Sequence, residues 1–286
     1  VSAVVLDGER LAREIRDEVA IAVTGLVGRG ITPGLGTILV GDDGPSGRYV
    51  AMKQEDCREV GMTSVHAHLP ADVTEEELRR TIREFNENPA VDAYLIQLPL
   101  PAHLNEERAL LAVDPDKDVD GLHPVNLGRL VMGAPGPVPC TPAGIVALLA
   151  AYDVEVEGKN VVIIGRGLTI GRPLALLLAL RRPGCNAAVT VVHTGVPDLA
   201  EYVRRADVVV AAAGSAGLVT REMVKPGAAV VAAGVTREGK RILSDVADDV
   251  AEVAGYLSPR IGGVGPMTRA MLIKNTLLAA ERRART

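Results

Sequence analysis

Residues 161–173 read VVIIGRGLTIGRP, and no other stretch limits the fold so tightly. Four β-branched residues in a row suit a strand buried on both faces. Gly165, Gly167 and Gly171 then let the backbone turn tightly, and Pro173 suits the first turn of a helix. A strand, a glycine turn and a helix in that order leave free N–H groups at a positive dipole end, where a pyrophosphate can sit. The spacing of the glycines departs by one residue from the commonest dinucleotide fingerprint. On this motif alone, a plain strand–turn–helix connection stays open.

The next strand sharpens the reading. A site for NAD typically ends its second strand in Asp or Glu, which holds the ribose 2′-hydroxyl. Here Ala188–Val192 runs into His193-Thr194-Gly195, with no carboxylate. Arg166 lies inside the glycine loop, where it can meet an anion. A 2′-phosphate suits this arrangement, so the sequence points to NADP rather than NAD. The alternative reading of Arg166 is an ordinary surface cation.

The rest of the chain fits around that unit. A helix is expected over 7–29, capped by Asp7, with Leu11, Ile15, Val19 and Val23 at helical spacing. Strands are expected at 37–40, 64–69 and 93–96. Helices are expected at 46–60 and from the Thr74 cap to about 86, where Glu77 completes a capping box. A Gly- and Pro-rich segment over 124–142 marks a boundary. Beyond it come a helix at 142–151, the glycine-loop unit, further strands near 207–213 and 228–232, and a last helix at 269–283. The fold class is therefore α/β, in two lobes, with mostly parallel sheets covered by helices. The first lobe spans 1–140 and the Rossmann-like second lobe 141–267.

Composition excludes several function classes. At 286 residues two lobes are the better prior. No run of about 18 uncharged apolar residues occurs, so a membrane span is not expected. The segment VSAVVLDGERLAREI lacks the basic-then-apolar pattern of a secretory leader. A net charge of −5 offers no basic footprint, and with aromatics at 2% stacking platforms for bases are scarce; nucleic acid is not an expected partner. Cys57, Cys140 and Cys185 are far apart and odd in number, which fits idle thiols in a reducing cytoplasm and no metal site.

Two further segments carry chemistry. In Ser46-Gly47-Arg48-Tyr49-Val50-Ala51-Met52-Lys53, a phenol and an amine stand four positions apart, which places both on one helical face. Short-chain dehydrogenases share that spacing, but they carry the glycine loop first, whereas here it follows by over a hundred residues. Asp116-Lys117-Asp118-Val119-Asp120-Gly121 copies half of a calcium loop and then fails. Leu127 stands where a bidentate Glu is required, and Pro124 intrudes. Asp120, before a glycine at the boundary, is suited instead to gripping a guanidine-like edge through paired hydrogen bonds.

Together these segments resemble the bifunctional methylenetetrahydrofolate dehydrogenase/cyclohydrolase family. The resemblance covers nearly the whole chain: VGDDGPSGRYVAMK (40–53), IQLPLP (96–101), DKDVDGLHP (116–124), PCTPAGI (139–145), IGRGLTIGRP (164–173) and GGVGPMTRAML (262–272). It implies that Lys53 is the catalytic lysine, that Gln97 tunes it, and that Tyr49 stacks on the folate aminobenzoate. It implies that Asp120 holds the pterin and that Gly263 and Pro266 line the folate cleft. Gly165, Arg166, Gly167, Gly171, His193, Thr194 and Val235 fall where the family contacts NADP. A folate cleft between two lobes, a C-terminal helix (268–286) returning to the first lobe, and a cytoplasmic homodimer are implied as well.

The implied chemistry is oxidation of 5,10-methylenetetrahydrofolate, followed by hydrolysis of the methenyl product to 10-formyltetrahydrofolate. The chain also departs from the family pattern. Gly167 stands where many members have serine, Thr194 where serine is usual, Val196 for threonine, Ala232 for aspartate, and Arg260-Ile261 for a segment ending in proline. A monofunctional NAD-dependent dehydrogenase is the rival within enzymes, and a ligand sensor without turnover is the rival outside them. A quinate- or amino-acid-type dehydrogenase lacks support from the GGVGPMT segment.

Overall fold

The computed structural model describes residues 3–41, 44–239 and 241–285. In chain order the elements are β1 (Val4–Val5), α1 (Gly8–Val27), β2 (Gly34–Val40), α2 (Gly44–Val60), β3 (Thr63–Leu69), α3 (Glu75–Glu87) and β4 (Ala93–Ile96). They continue as α4 (Glu106–Ala112), α5 (Pro124–Met132), α6 (Cys140–Ala151), β5 (Asn160–Ile164), α7 (Gly171–Ala179), β6 (Ala188–Val192) and α8 (Leu199–Val203). The last are β7 (Val208–Ala211), β8 (Ala229–Ala232), β9 (Val235–Glu238), β10 (Arg241–Ser244), β11 (Tyr256–Leu257) and α9 (Val264–Arg283). The chain divides into two units. One comprises residues 13–140 with 269–286, the other residues 1–12 with 141–268.

In the first of these, β2 lies between β3 and β4 in a parallel sheet. α3 shows why the sequence folds as it does here. Thr74 and Glu77 close the expected capping box, and Leu78, Thr81, Ile82 and Phe85 turn one stripe inward. Phe85 meets Tyr94 of β4 edge-on, with ring centroids 5.4 Å apart. The fully buried Tyr94 hydroxyl donates to Asn86 Oδ1 at 2.7 Å, so its burial leaves no polar group unpaired. α2 follows β2, so its position is set by the sheet. Its end is marked by Gly61 in the left-handed region, at φ 80°.

The other unit holds a six-stranded parallel sheet in the order β1-β11-β8-β7-β5-β6. After β5 the chain moves to β6 on one side and then crosses to β7 on the other. Val162, Ile164, Val209, Val230 and Val203 form its buried centre. The antiparallel pair β9–β10 forms a separate ribbon.

Several boundaries differ from expectation, each for a physical reason. Residues 1–12 were expected in the first lobe, but β1 pairs in parallel with β11 and so belongs with the larger sheet. The Gly- and Pro-rich boundary segment contains a helix, α5, because Pro124 occupies its first turn and Gly133 caps its end in the left-handed region. α4, too short to show periodicity, lies where no element was expected. α9 begins at Val264, five residues early, since glycine and proline are tolerated in a first turn.

Candidate functional site

Two groups of side chains stand out, one in each unit. In the first, Lys53 lies on α2 and Gln97 directly follows β4. The Lys53 ammonium nitrogen donates to Gln97 Oε1 at 3.0 Å. The other end of the Gln97 amide is held in turn, since Nε2 donates to Leu98 O at 2.9 Å. The Gln97 backbone is fixed by an N–H bond to Ile38 O at 2.8 Å. The amide is thereby oriented with its oxygen toward the lysine and adds no charge.

Electrostatics follow from burial. Lys53 is pushed below the ordinary lysine range, mainly because burial disfavours its charge, while the charges of Asp120 and Cys140 act the other way. Asp120 is pushed up, mainly by burial, against the opposing effect of Lys53. The Cys140 thiol is pushed well up by burial and by the Asp120 charge. An amine and a carboxylate are thus both drawn toward their neutral forms, which suits proton transfer.

The loop carrying Asp120 is built by its neighbours. Asp118 accepts from the N–H groups of Gly121 at 3.0 Å and His123 at 2.8 Å, and from Asn126 Nδ2 at 2.9 Å. These donors explain the half-copied calcium motif: the carboxylate organises a turn. His123 caps α5, its Nδ1 accepting from Val125 N–H at 3.1 Å. Asn275 of α9 donates to Val119 O at 2.9 Å and Val138 O at 3.1 Å, joining the segments that lead into Asp120 and Cys140. Sequence reasoning missed Asn275 and treated Cys140 as idle. A lone amide and a lone thiol carry no spacing signal that would have marked them.

Tyr49 sits one turn before Lys53 on α2 and is 42% exposed. Among the described residues no hydrogen bond joins it to the lysine, so an exposed ring surface is what it offers. A part-buried bidentate ion pair anchors the same helix: Arg269 Nε and Nη2 donate to Asp56 at 2.7 and 2.8 Å.

The second group lies at the carboxyl end of β5. Gly165 adopts φ +119°, and a Cβ there would fall 2.2 Å from Ala212 O. At Gly171 a Cβ would fall 2.2 Å from Gly165 O. Both positions exclude a side chain, which leaves backbone as the surface of the turn. Ile170, at the N-cap of α7, gives no side-chain acceptor to the first N–H groups of the helix. Gly167 is exposed, with nothing near its missing Cβ.

Arg166 and His193 meet here. His193 Nδ1 accepts from Gly195 N–H at 3.0 Å, so the neutral ring carries its proton on Nε2. That Nε2 lies 3.3 Å from Arg166 Nη1. An exposed guanidinium beside an imidazole at this place suits an anion. A dinucleotide bearing an extra phosphate fits these residues: bare backbone, open helix N–H groups and this pair. Thr194 is exposed beside His193, and Val235, 44% exposed, opens β9. Gly263 and Pro266 lie around the start of α9, Gly263 buried and Pro266 half-buried.

Known proteins carry the same pattern. Residues 6–120 match the family "tetrahydrofolate dehydrogenase/cyclohydrolase, catalytic domain", and residues 139–284 match its "NAD(P)-binding domain". The chain is 56% identical over 285 residues to the bifunctional protein FolD of Syntrophotalea carbinolica, covering 100% of this chain and 98% of that one. It is 53% identical over 277 residues to bifunctional protein FolD 1 of Salinispora tropica, covering 97% and 90%. The crystal structure of Trypanosoma brucei methylenetetrahydrofolate dehydrogenase-cyclohydrolase, complexed with NADP cofactor and inhibitor, superposes at a TM-score of 0.95 with 41% identity. That match covers 100% of both chains. The half-buried lysine and the glycine cradle therefore sit in domains of matching kind, and the chain belongs to the tetrahydrofolate dehydrogenase/cyclohydrolase family.

Proposed function

We infer that the Lys53–Gln97 pair is the acid–base centre of a bifunctional folate enzyme, and that Arg166 and His193 select its cofactor. The enzyme oxidises 5,10-methylenetetrahydrofolate with NADP⁺ and hydrolyses the methenyl product to 10-formyltetrahydrofolate. One observation carries the assignment of the site: an amine whose charge burial disfavours, held 3.0 Å from a neutral amide acceptor.

NADP⁺, when bound, supplies a hydride acceptor. The residues of the chain do the rest. Gly165 and Gly171 leave room for backbone to approach a pyrophosphate, and Arg166, with His193 Nε2, holds the 2′-phosphate. Asp120 fixes the pterin by hydrogen bonds, Tyr49 offers its exposed ring to the aminobenzoate, and the backbone around Gly263 and Pro266 lines the folate site. Lys53, whose charge burial disfavours, takes in its neutral form a proton from the water that attacks the methenyl carbon. It then returns that proton to the ring nitrogen that leaves, while the hydroxyl proton on the hydrated carbon passes to solvent as the formyl C=O forms, so a single amine serves both halves of the hydrolysis. Gln97 keeps the amine in place through both proton transfers. The enzyme is read as a cytoplasmic homodimer, on the pattern of the family it resembles. Among the described residues no helix is long and apolar enough to cross a membrane.

A spectroscopic assay tests this reading directly. Methylenetetrahydrofolate is supplied with NADP⁺ or NAD⁺, and formation and decay of the methenyl product are followed. NADP⁺-dependent formation followed by enzyme-dependent decay is expected. Formation with NAD⁺ alone, or decay at the uncatalysed rate, would favour a monofunctional NAD-dependent enzyme.

A further inference from the structure

Asp245 is fully buried, and both of its oxygens meet backbone. Oδ2 accepts from the N–H groups of Ala213 at 2.7 Å and Gly214 at 2.9 Å, and Oδ1 accepts from Ser215 at 2.8 Å. Three successive N–H groups converging on one point make a concavity that attracts anions. Here it is filled by the chain's own carboxylate. Gly234 makes room for that carboxylate, since a Cβ at this position would lie 1.9 Å from Oδ2. The loop is also tied by its flanks: Gly217 N–H bonds Ser244 O at 2.8 Å, and Val219 N–H bonds Asp245 O at 2.9 Å.

The place of this loop gives it a use. It leaves β7, which neighbours β5, and the chain reverses direction across the sheet between those two strands. In open α/β sheets ligands bind outside the carboxyl ends of the strands at that reversal. The glycine loop forms one wall of the crevice. The Asp245-held loop forms the other, since Ala212 O is the atom that a Cβ on Gly165 would strike. The β6 side of the crevice carries Arg166 and His193. The β7 side has its N–H groups already occupied.

We propose that Asp245 is a positioning residue for the dinucleotide, one that sets residues 213–215 as the wall receiving its phosphate-free nicotinamide end. By occupying the three N–H groups, the carboxylate leaves them none to offer a phosphate, and the cofactor lies in one direction only. This rests on the NADP reading above.

The test uses Asp245→Asn, which keeps the shape, removes the charge and turns a donor toward N–H groups. NADP⁺ affinity is measured by calorimetry on the cofactor-free enzyme, and methenyltetrahydrofolate hydrolysis is measured without NADP⁺. The expected result is a Kd raised about tenfold, the loss of one charge-assisted contact's worth of order, with hydrolysis unchanged. An unchanged Kd, or equal loss of both activities, overturns the proposal. If the unsubstituted enzyme binds no NADP⁺, the cofactor reading falls first, and the two failures are told apart. Should the variant not fold, amide hydrogen exchange of the unsubstituted enzyme decides. The amides of residues 213–215 are expected to be protected without NADP⁺ and unchanged by it. Protection that appears only with NADP⁺ would mean that these donors serve the ligand, and the proposal fails.

Discussion

The surroundings of Lys53 and of Arg166 place positive charge in opposite settings. Lys53 is half-buried, bonded to a neutral amide, and pushed below the ordinary lysine range by desolvation. Arg166 is exposed, with His193 Nε2 3.3 Å from its Nη1. The first arrangement makes a cation easy to discharge, as acid–base work requires. The second keeps a cation that cannot discharge and leaves it open to an anion. One unit alters the acidity of a group; the other offers shape and fixed charge.

Replacing Lys53 breaks this comparison most severely. Lys53→Met is expected to lower methenyltetrahydrofolate hydrolysis by about 10²- to 10⁴-fold, the usual weight of a positioned acid–base group. NADP⁺ affinity, read by calorimetry, should be unchanged. Retained hydrolysis would remove Lys53 from the mechanism. Stability should move the other way. The folded-state pKa of Lys53 lies below its unfolded value of 10.5, so the unfolded chain binds the extra proton between the two. The parent therefore gains stability as pH rises through that window and is penalised below it. Lys53→Met removes the penalty, and denaturant midpoints compared across pH should show the variant more resistant at neutral pH, with the advantage shrinking as pH rises toward 10.5.

Gly165→Ala attacks the other side through the backbone. A φ of +119° and an atom 2.2 Å from the new Cβ leave alanine no relaxed conformation. Local strain of about 1–3 kcal/mol in the crevice should weaken NADP⁺ roughly tenfold or more, while hydrolysis without cofactor persists. Arg166→Ala should act more narrowly, weakening NADP⁺ by about tenfold and NAD⁺ hardly at all, with the difference fading at high salt because the contact is exposed. Equal weakening of both cofactors would show that Arg166 does not read the 2′-phosphate.

The two regions also differed in how much of them the sequence disclosed. The glycine loop was legible because its constraints are local: a strand, a positive-φ turn and a helix start lie within thirteen residues, 161–173. The capping box at Thr74 and Glu77 was legible for the same reason. Gln97 gained its role only through resemblance, and Asp120, marked by its place before Gly121 as a hydrogen-bonding grip, was not legible as a neighbour of Lys53. Asn275 and Asp245 were not legible at all. Each acts through backbone groups far away in the chain, 156 residues in the case of Asn275 and Val119. Such pairings are decided by packing, and no periodicity announces them. The edges of the larger sheet were missed likewise, because β1 and β11 are two residues each and find one another only in the folded state.

The smallest expected effect tests how the charges around Lys53 balance. Burial lowers the pKa of the lysine, and the Asp120 charge partly offsets this by raising it. Asp120→Asn removes the offset and keeps the shape, so the lysine should lose its proton more easily still. If neutral Lys53 is the base that starts hydrolysis, the acid limb of the kcat–pH profile should move to lower pH. The KM for folate should rise separately, as the pterin loses a carboxylate partner. The two consequences are read from different parameters of one titration. A limb that stays fixed, or moves to higher pH, would mean that the Asp120 charge does not govern the lysine. Asp120 would then be a binding residue only, and the lowered lysine would owe its state to desolvation alone.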